Sequence, residues 1–289
     1  MTLSIPAPRA EGFTASTPVP LYWREDGAPD HPPLVLLHGG PGAHHDYLYP
    51  QMLELAKTHR VITYDQRGGG RSRMDDPSPI TWRTQVDDLA AVLHEFDLSA
   101  TTVVGYSWGA LLAMLYAVTQ RREPSWPSIG RLALISPAPI SRRWRTAFEA
   151  ELAERQRGPV VQALRAELAA SGLRESDPGA YRQRSFELSV AGYFADPHRA
   201  ESLTAFRVTG RVQQSVWDSL GDFDLRDALR AVHLPVLVVH GRDDPIPLAS
   251  AESVSACLEG TLVVLDDCGH VPYVEQPQAL FAALQPFLD

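Results

Sequence analysis

Short apolar runs alternate along much of this chain with longer stretches in which apolar residues recur at helical spacing. The runs cover residues 33–38, 60–65, 101–106 and 131–136, and the stretches 47–56, 81–96 and 108–119 between them read as helices. Runs as continuous as Pro33-Leu34-Val35-Leu36-Leu37 suit strands covered on both faces, and their alternation with helices predicts a parallel sheet of βα units. The pattern returns after Leu234 with a strand at 235–240, a helix at 248–258, a strand at 261–265 and a closing helix at 276–288. Both sets of strands are expected in one sheet.

Residues 141–232 hold no comparable run and read as several helices, broken near Gly158-Pro159, Ser176-Asp177-Pro178 and Ala195-Asp196-Pro197. The expected organisation is an α/β core of residues 1–140 and 233–289, a mostly parallel sheet flanked by helices, with an all-helical cap inserted at 141–232. An insertion at that point sits over the carboxyl ends of the strands, where open α/β sheets bind ligands.

Composition narrows the ligands. With 44% hydrophobic and 21% charged residues among 289, the chain is a folded globular protein and neither disordered, collagenous nor coiled coil. Its 26 basic and 35 acidic residues leave a net charge of −9. No basic block offsets that acidity, so nucleic acid and anionic membrane are not expected partners, and a small molecule or short peptide is. The two cysteines, Cys257 and Cys268, are too few for a disulfide framework or a four-thiolate metal site. Residues 1–10 lack the apolar core of a signal peptide, and no apolar stretch approaches a membrane span, so a cytoplasmic protein is expected. Lys57 is the single lysine and lies on a polar stretch, which makes Schiff-base chemistry a poor fit.

Chemistry concentrates at three places. Thr101-Thr102-Val103-Val104 runs into Gly105-Tyr106-Ser107-Trp108-Gly109 and then an apolar helix, which is G-x-S-x-G between a strand and a helix. A tight turn there would project the Ser107 hydroxyl from the sheet edge, and a side chain at either flanking glycine would collide with neighbouring backbone. His38-Gly39-Gly40-Pro41-Gly42 follows another strand, and its side-chain-free amides suit an oxyanion hole whose two donors are assigned to Gly40 and Trp108. No phosphate-loop spacing is present, and His38, at the end of a buried strand, reads as a structural hydrogen-bonding group.

The third place is a pair of loops. Gly241-Arg242-Asp243-Asp244-Pro245 and Asp266-Asp267-Cys268-Gly269-His270 each leave the end of a strand, on the same edge as Ser107. The order Ser, Asp, His matches a hydrolase triad in which His270 is the base and an aspartate orients it. Asp244 is the preferred orienter, Asp243 the fallback, and Asp266 or Asp267 a further alternative. His44-His45-Asp46 and His270 have no metal-ligand spacing, so no metal and no cofactor are expected.

With these residues in place, the chain resembles the α/β-hydrolase superfamily over nearly its whole length, and within it the proline iminopeptidases. The narrower resemblance is carried by HGGPG at 38–42, DQRGGGRS at 65–72, GYSWGA at 105–110, GRDD at 241–244 and GHVPYVEQP at 269–277. It implies a serine peptidase that removes an N-terminal residue, typically proline, from short peptides. It also implies structural roles for Asp65 and Arg67, and cap glutamates that hold the substrate amine, since a buried cation needs a paired carboxylate. Glu187 is the cap candidate, with Tyr193 and Phe194 (and Tyr181) as apolar neighbours; the second glutamate expected later in the cap is replaced by arginines at 207 and 211. That departure keeps open an esterase, lactonase or amidase with the same triad. A non-catalytic binding protein on this fold is the third reading.

Overall fold

The computed structural model describes residues 5–74 and 78–289, so the first four residues of segment 1–10 lie outside it. Among the described residues, one sheet of eight strands contains β1 (Ala10–Phe13), β2 (Tyr22–Asp26), β3 (Pro33–Leu37), β4 (Arg60–Tyr64), β5 (Thr101–Tyr106), β6 (Ile129–Ile135), β7 (Val236–Gly241) and β8 (Thr261–Leu265). Their order is β1-β2-β4-β3-β5-β6-β7-β8; the contacts of β1 and β2 are antiparallel and every other pairing is parallel. The fold is an α/β-hydrolase sheet, and the two expected sets of strands do lie in it together. The edge pair β1 and β2 was not foreseen, because AEGF and YWRED carry too little apolar character to read as strands.

Side chains of the central strands alternate between two cores, as a period of two requires. Val35, Leu37, Val103, Leu132, Leu134 and Val238 join one cluster, while Leu34, Leu36, Val104, Ala133, Ile135 and Val239 join the other. The first core is closed by α1 (Trp82–Glu95), α2 (Trp108–Gln120) and a later helix, α9 (Leu248–Cys257). Thr81 and Thr84 form a capping box that starts α1. The expected helix at 47–56 is instead two short 3-10 turns, His45–Leu48 and Gln51–Lys57. Pro50 stands between them with no amide hydrogen to carry a helix through.

Between β6 and β7 lie α3 (Arg142–Gln156), α4 (Pro159–Ala170), α5 (Leu173–Ser176), α6 (Pro178–Val190), α7 (Gly210–Leu220) and α8 (Arg226–Leu229). The segment contains no strand, and its two ends are joined by a bridge between Ser141 and Asp224. Beyond β8 the chain ends in α10 (Pro272–Glu275) and α11 (Pro277–Leu288). No helix among the described residues is long and apolar enough to cross a membrane.

Candidate active site

The turn from β5 into α2 is held in a conformation that few residues adopt. Ser107 has φ 53° and ψ −116°, in the left-handed region where a non-glycine residue stores about 1–3 kcal/mol of strain. The surroundings leave no alternative course. A Cβ on Gly105 would lie 2.6 Å from the Ala110 Cα, and one on Gly109 would strike the carbonyl oxygens of Leu37 and His38. Gly109→Ala is therefore expected to lower stability by at least about 2 kcal/mol, since rigid backbone rather than a movable side chain meets the new methyl. Urea unfolding checks it; an unchanged midpoint would mean that α2 shifts freely against β3.

The Ser107 hydroxyl meets His270. Nε2 of His270 lies 2.9 Å from Ser107 Oγ, and Nδ1 lies 2.8 Å from Asp244 Oδ2. Asp244 is wholly buried and its other oxygen accepts the Ile246 amide at 2.7 Å. Burial alone would raise its pKa, yet the facing imidazoles of His270 and His240, with those hydrogen bonds, hold it below the ordinary carboxylate range. Asp243 is exposed, and its backbone is what is engaged: Arg155 donates to its carbonyl, and its amide donates to the Cys268 carbonyl. Asp266 and Asp267 are also exposed, and Asp266 pairs with Arg242. Of the four aspartates weighed from the sequence, Asp244 alone reaches the imidazole.

Two residues that the motifs contain but to which no role had been attached hold this arrangement together. Glu275 spans the His270 loop: its carboxylate accepts the amides of Gly269 at 3.0 Å, Val271 at 3.2 Å and Ala195 at 2.8 Å. Burial pushes its pKa up to about 7. Gln66 clamps the HGGPG loop to the serine turn, donating to the His38 carbonyl at 2.8 Å and accepting the Trp108 indole N–H at 2.8 Å. The GHVPYVEQP and DQRG stretches were the available signal for both. Within DQRG, Asp65 accepts from His45 at 2.7 Å and Arg67 pairs with Asp88, so neither reaches the cavity at Ser107.

His38 is fully buried and takes part in the same clamp. Its Nε2 accepts the Gln66 amide at 3.1 Å, so Nδ1 carries the proton and donates to the Gly39 carbonyl at 2.8 Å. Burial lowers its pKa to about 4, while the unfolded chain titrates near 6.5. This contribution to stability is whole above pH 6.5 and is lost as pH falls through about 4, some 3 kcal/mol in all. His38→Asn should flatten the unfolding free energy between pH 7 and 4 by about that amount. An unchanged slope in urea titrations would assign the acid sensitivity to other groups.

The Gly39 amide is consumed by the Tyr47 hydroxyl at 2.7 Å. The amides of Gly40 and Trp108 donate to no atom of the described residues, and both residues line a cavity of about 450 Å³ that also contains Ser107 and His270. Gly40, at φ +64°, occupies backbone space that favours glycine.

The helical segment roofs the cavity with residues largely different from those expected. Tyr193 is there, its ring centroid 5.3 Å from that of His270. Phe194 is not: it is buried in the second core and faces another hollow. Glu187 is not there either. On α6 the lining residues are Phe186, Ser189 and Val190, a single helical face, and Glu187 lies about 100° round from Phe186. Its carboxylate is occupied by Arg184 at 2.6 Å and Gln183 at 3.1 Å. The carboxylate that does line the cavity is Glu149, on a face of α3 with Arg145, Phe148 and Leu152. Helix α3 is rich in charge, and nothing in its sequence singled out that face.

Comparison with known proteins shows the family. The family model described as Alpha/beta hydrolase family matches residues 34–284. A proline iminopeptidase of Lactobacillus helveticus is 27% identical over 281 residues, 90% of either chain. The structure of a proline iminopeptidase from Mycobacterium smegmatis superposes with a TM-score of 0.68 at 23% identity, covering 96% of this chain and 97% of that one. An esterase from Exiguobacterium antarcticum superposes with a TM-score of 0.69 at 21% identity, covering 96% and 99%. The family match runs from the first parallel strand to the last helix, and this chain belongs to the alpha/beta hydrolase family.

Proposed function

We propose that the protein is a serine hydrolase working through an acyl-enzyme, and that it releases the N-terminal residue, proline preferred, from short peptides. The observation that carries the chemistry is the hydrogen-bonded line from Asp244 through His270 to Ser107 beside two unengaged amides. His270, with its proton held on Nδ1 by Asp244, accepts the Ser107 proton at Nε2 as Oγ attacks the carbonyl carbon. Gly40 and Trp108 receive the developing oxyanion, aided by the positive end of α2; one such donor is worth about 3 kcal/mol. His270 then gives its proton to the leaving amine, and water deprotonated by the same nitrogen releases the acyl group from Ser107.

The peptide assignment draws on the likeness to proline iminopeptidases. Its test is turnover of proline 4-nitroanilide, with loss on N-acetylation of the substrate. A second reading, an ester, lactone or amide without a free amine, is favoured by the cap: Glu187 lies off the cavity, and Glu149 is already paired with Arg145 at 2.6 Å. If free and acetylated proline anilides are inert while phenyl esters turn over, the second reading replaces the first.

A further inference from the structure

Arg145 brings to the cavity over Ser107 a cation with part of its hydrogen-bonding capacity unused. Its Nε donates to Glu149 at 2.6 Å, and its guanidinium carbon lies 3.7 Å from the centroid of the Trp217 ring. That ring packs edge-on against Trp108, the neighbour of Ser107, at 5.2 Å between centroids. Arg145 and both tryptophans line the cavity. Nη1 has no acceptor among the described residues, and the 17% of the side chain that stays accessible is where a ligand meets the guanidinium. A guanidinium nitrogen withdrawn from water without an acceptor is unfavourable, and the planar fork matches a two-oxygen anion. Stacking on Trp217 fixes the plane of the fork, so the receptor is ordered before a ligand arrives.

A groove beside the cavity has the same sign. This groove of about 890 Å³ is lined by Arg71, Arg73, Arg182, Arg207 and Arg211. The one carboxylate among its described lining residues, Asp46, is engaged by Arg71. Groove and cavity share Phe186, Phe206 and Val208. In a chain of net charge −9, this concentration of arginines makes the groove a local site of positive potential.

We propose that the cavity selects substrates bearing a carboxylate, which Arg145 receives while the reacting carbonyl lies at Ser107. The proposal rests on the Ser107 hydrolase reading only for the position of that carbonyl. The carboxylate has two sources: the C-terminus of a dipeptide, on the leaving side, or the free acid of a dicarboxylic monoester, on the acyl side.

Equilibrium binding to the Ser107→Ala protein tests the proposal without chemistry. The probes are prolylphenylalanine with its C-terminal amide, and monophenyl glutarate with its methyl ester. In at least one pair the acid should bind about tenfold or more tightly than its neutral partner. Adding Arg145→Met should bring that ratio to within about twofold, and Arg145→Lys should retain part of it. The pair that discriminates identifies the source of the carboxylate. Equal affinities in both pairs, no binding of either acid, a preference that survives Arg145→Met, or a parallel fall of acid and neutral affinities overturns the proposal. Turnover of the same compounds by the protein with Ser107 intact is read separately. Discrimination without turnover leaves the carboxylate receptor standing and removes the hydrolase reading; turnover without discrimination does the reverse.

Discussion

Ser107→Ala is expected to lower kcat by about 10⁴-fold or more on any substrate the protein turns over. The change removes one oxygen whose hydrogen bond is to His270 Nε2, and leaves the Cβ and the left-handed backbone of the turn in place. Alanine is no easier at φ 53° than serine, so the strain is kept and the fold should not move. The urea midpoint should match that of the parent protein while activity falls to the level set by binding and the free amides. Residual activity within tenfold of the parent would mean that another group attacks, and the assignment of Ser107 would fail. Loss of activity together with loss of stability would instead point to damage at the turn.

The second large effect separates two neighbouring aspartates. Asp244→Asn should lower kcat by about 10⁴-fold. Ile246 donates to Oδ1 at 2.7 Å, so the asparagine carbonyl would stay on that amide and its NH₂ would face His270 Nδ1. The imidazole must then accept at Nδ1 and carry its proton on Nε2, where it can no longer take one from Ser107. Asp243→Asn removes a charge from an exposed side chain beyond hydrogen-bonding reach of the ring, and should change kcat by less than about twofold. The comparison is internal: both variants lose one negative charge at adjacent positions, so a general electrostatic effect would move them together. Equal losses in the two would break the link between orientation of the ring and rate.

Some parts of this protein are written locally. Alternation of Leu34, Val35, Leu36 and Leu37 between two cores is a property of four consecutive residues, and a strand with both faces covered follows from it. The serine turn is local on one side only: Gly105 is demanded by the backbone of Gly109 and Ala110, whereas Gly109 meets the carbonyls of Leu37 and His38 at the end of the adjacent strand. The edge strands β1 and β2 escaped notice for the opposite reason. Their short, polar sequences become strands by pairing with β4 and with each other, and the partner supplies what propensity does not.

What the sequence by itself determined, then, is the parallel part of the sheet, a strand-free helical stretch between β6 and β7, and the chain order of a serine, an aspartate pair and a histidine at strand ends. Short-range constraints suffice for these: side chains alternate along a strand, and glycine is needed where backbone approaches backbone. Only the tertiary structure decided that Asp244 and not Asp243 meets the imidazole, and that Glu149 and Arg145 face the cavity while Glu187 and Phe194 turn away. Adjacent helical residues point about 100° apart, so a docking rotation of one residue exchanges one set of facing side chains for another. That rotation is set by how distant helices pack over the sheet, which no local pattern contains.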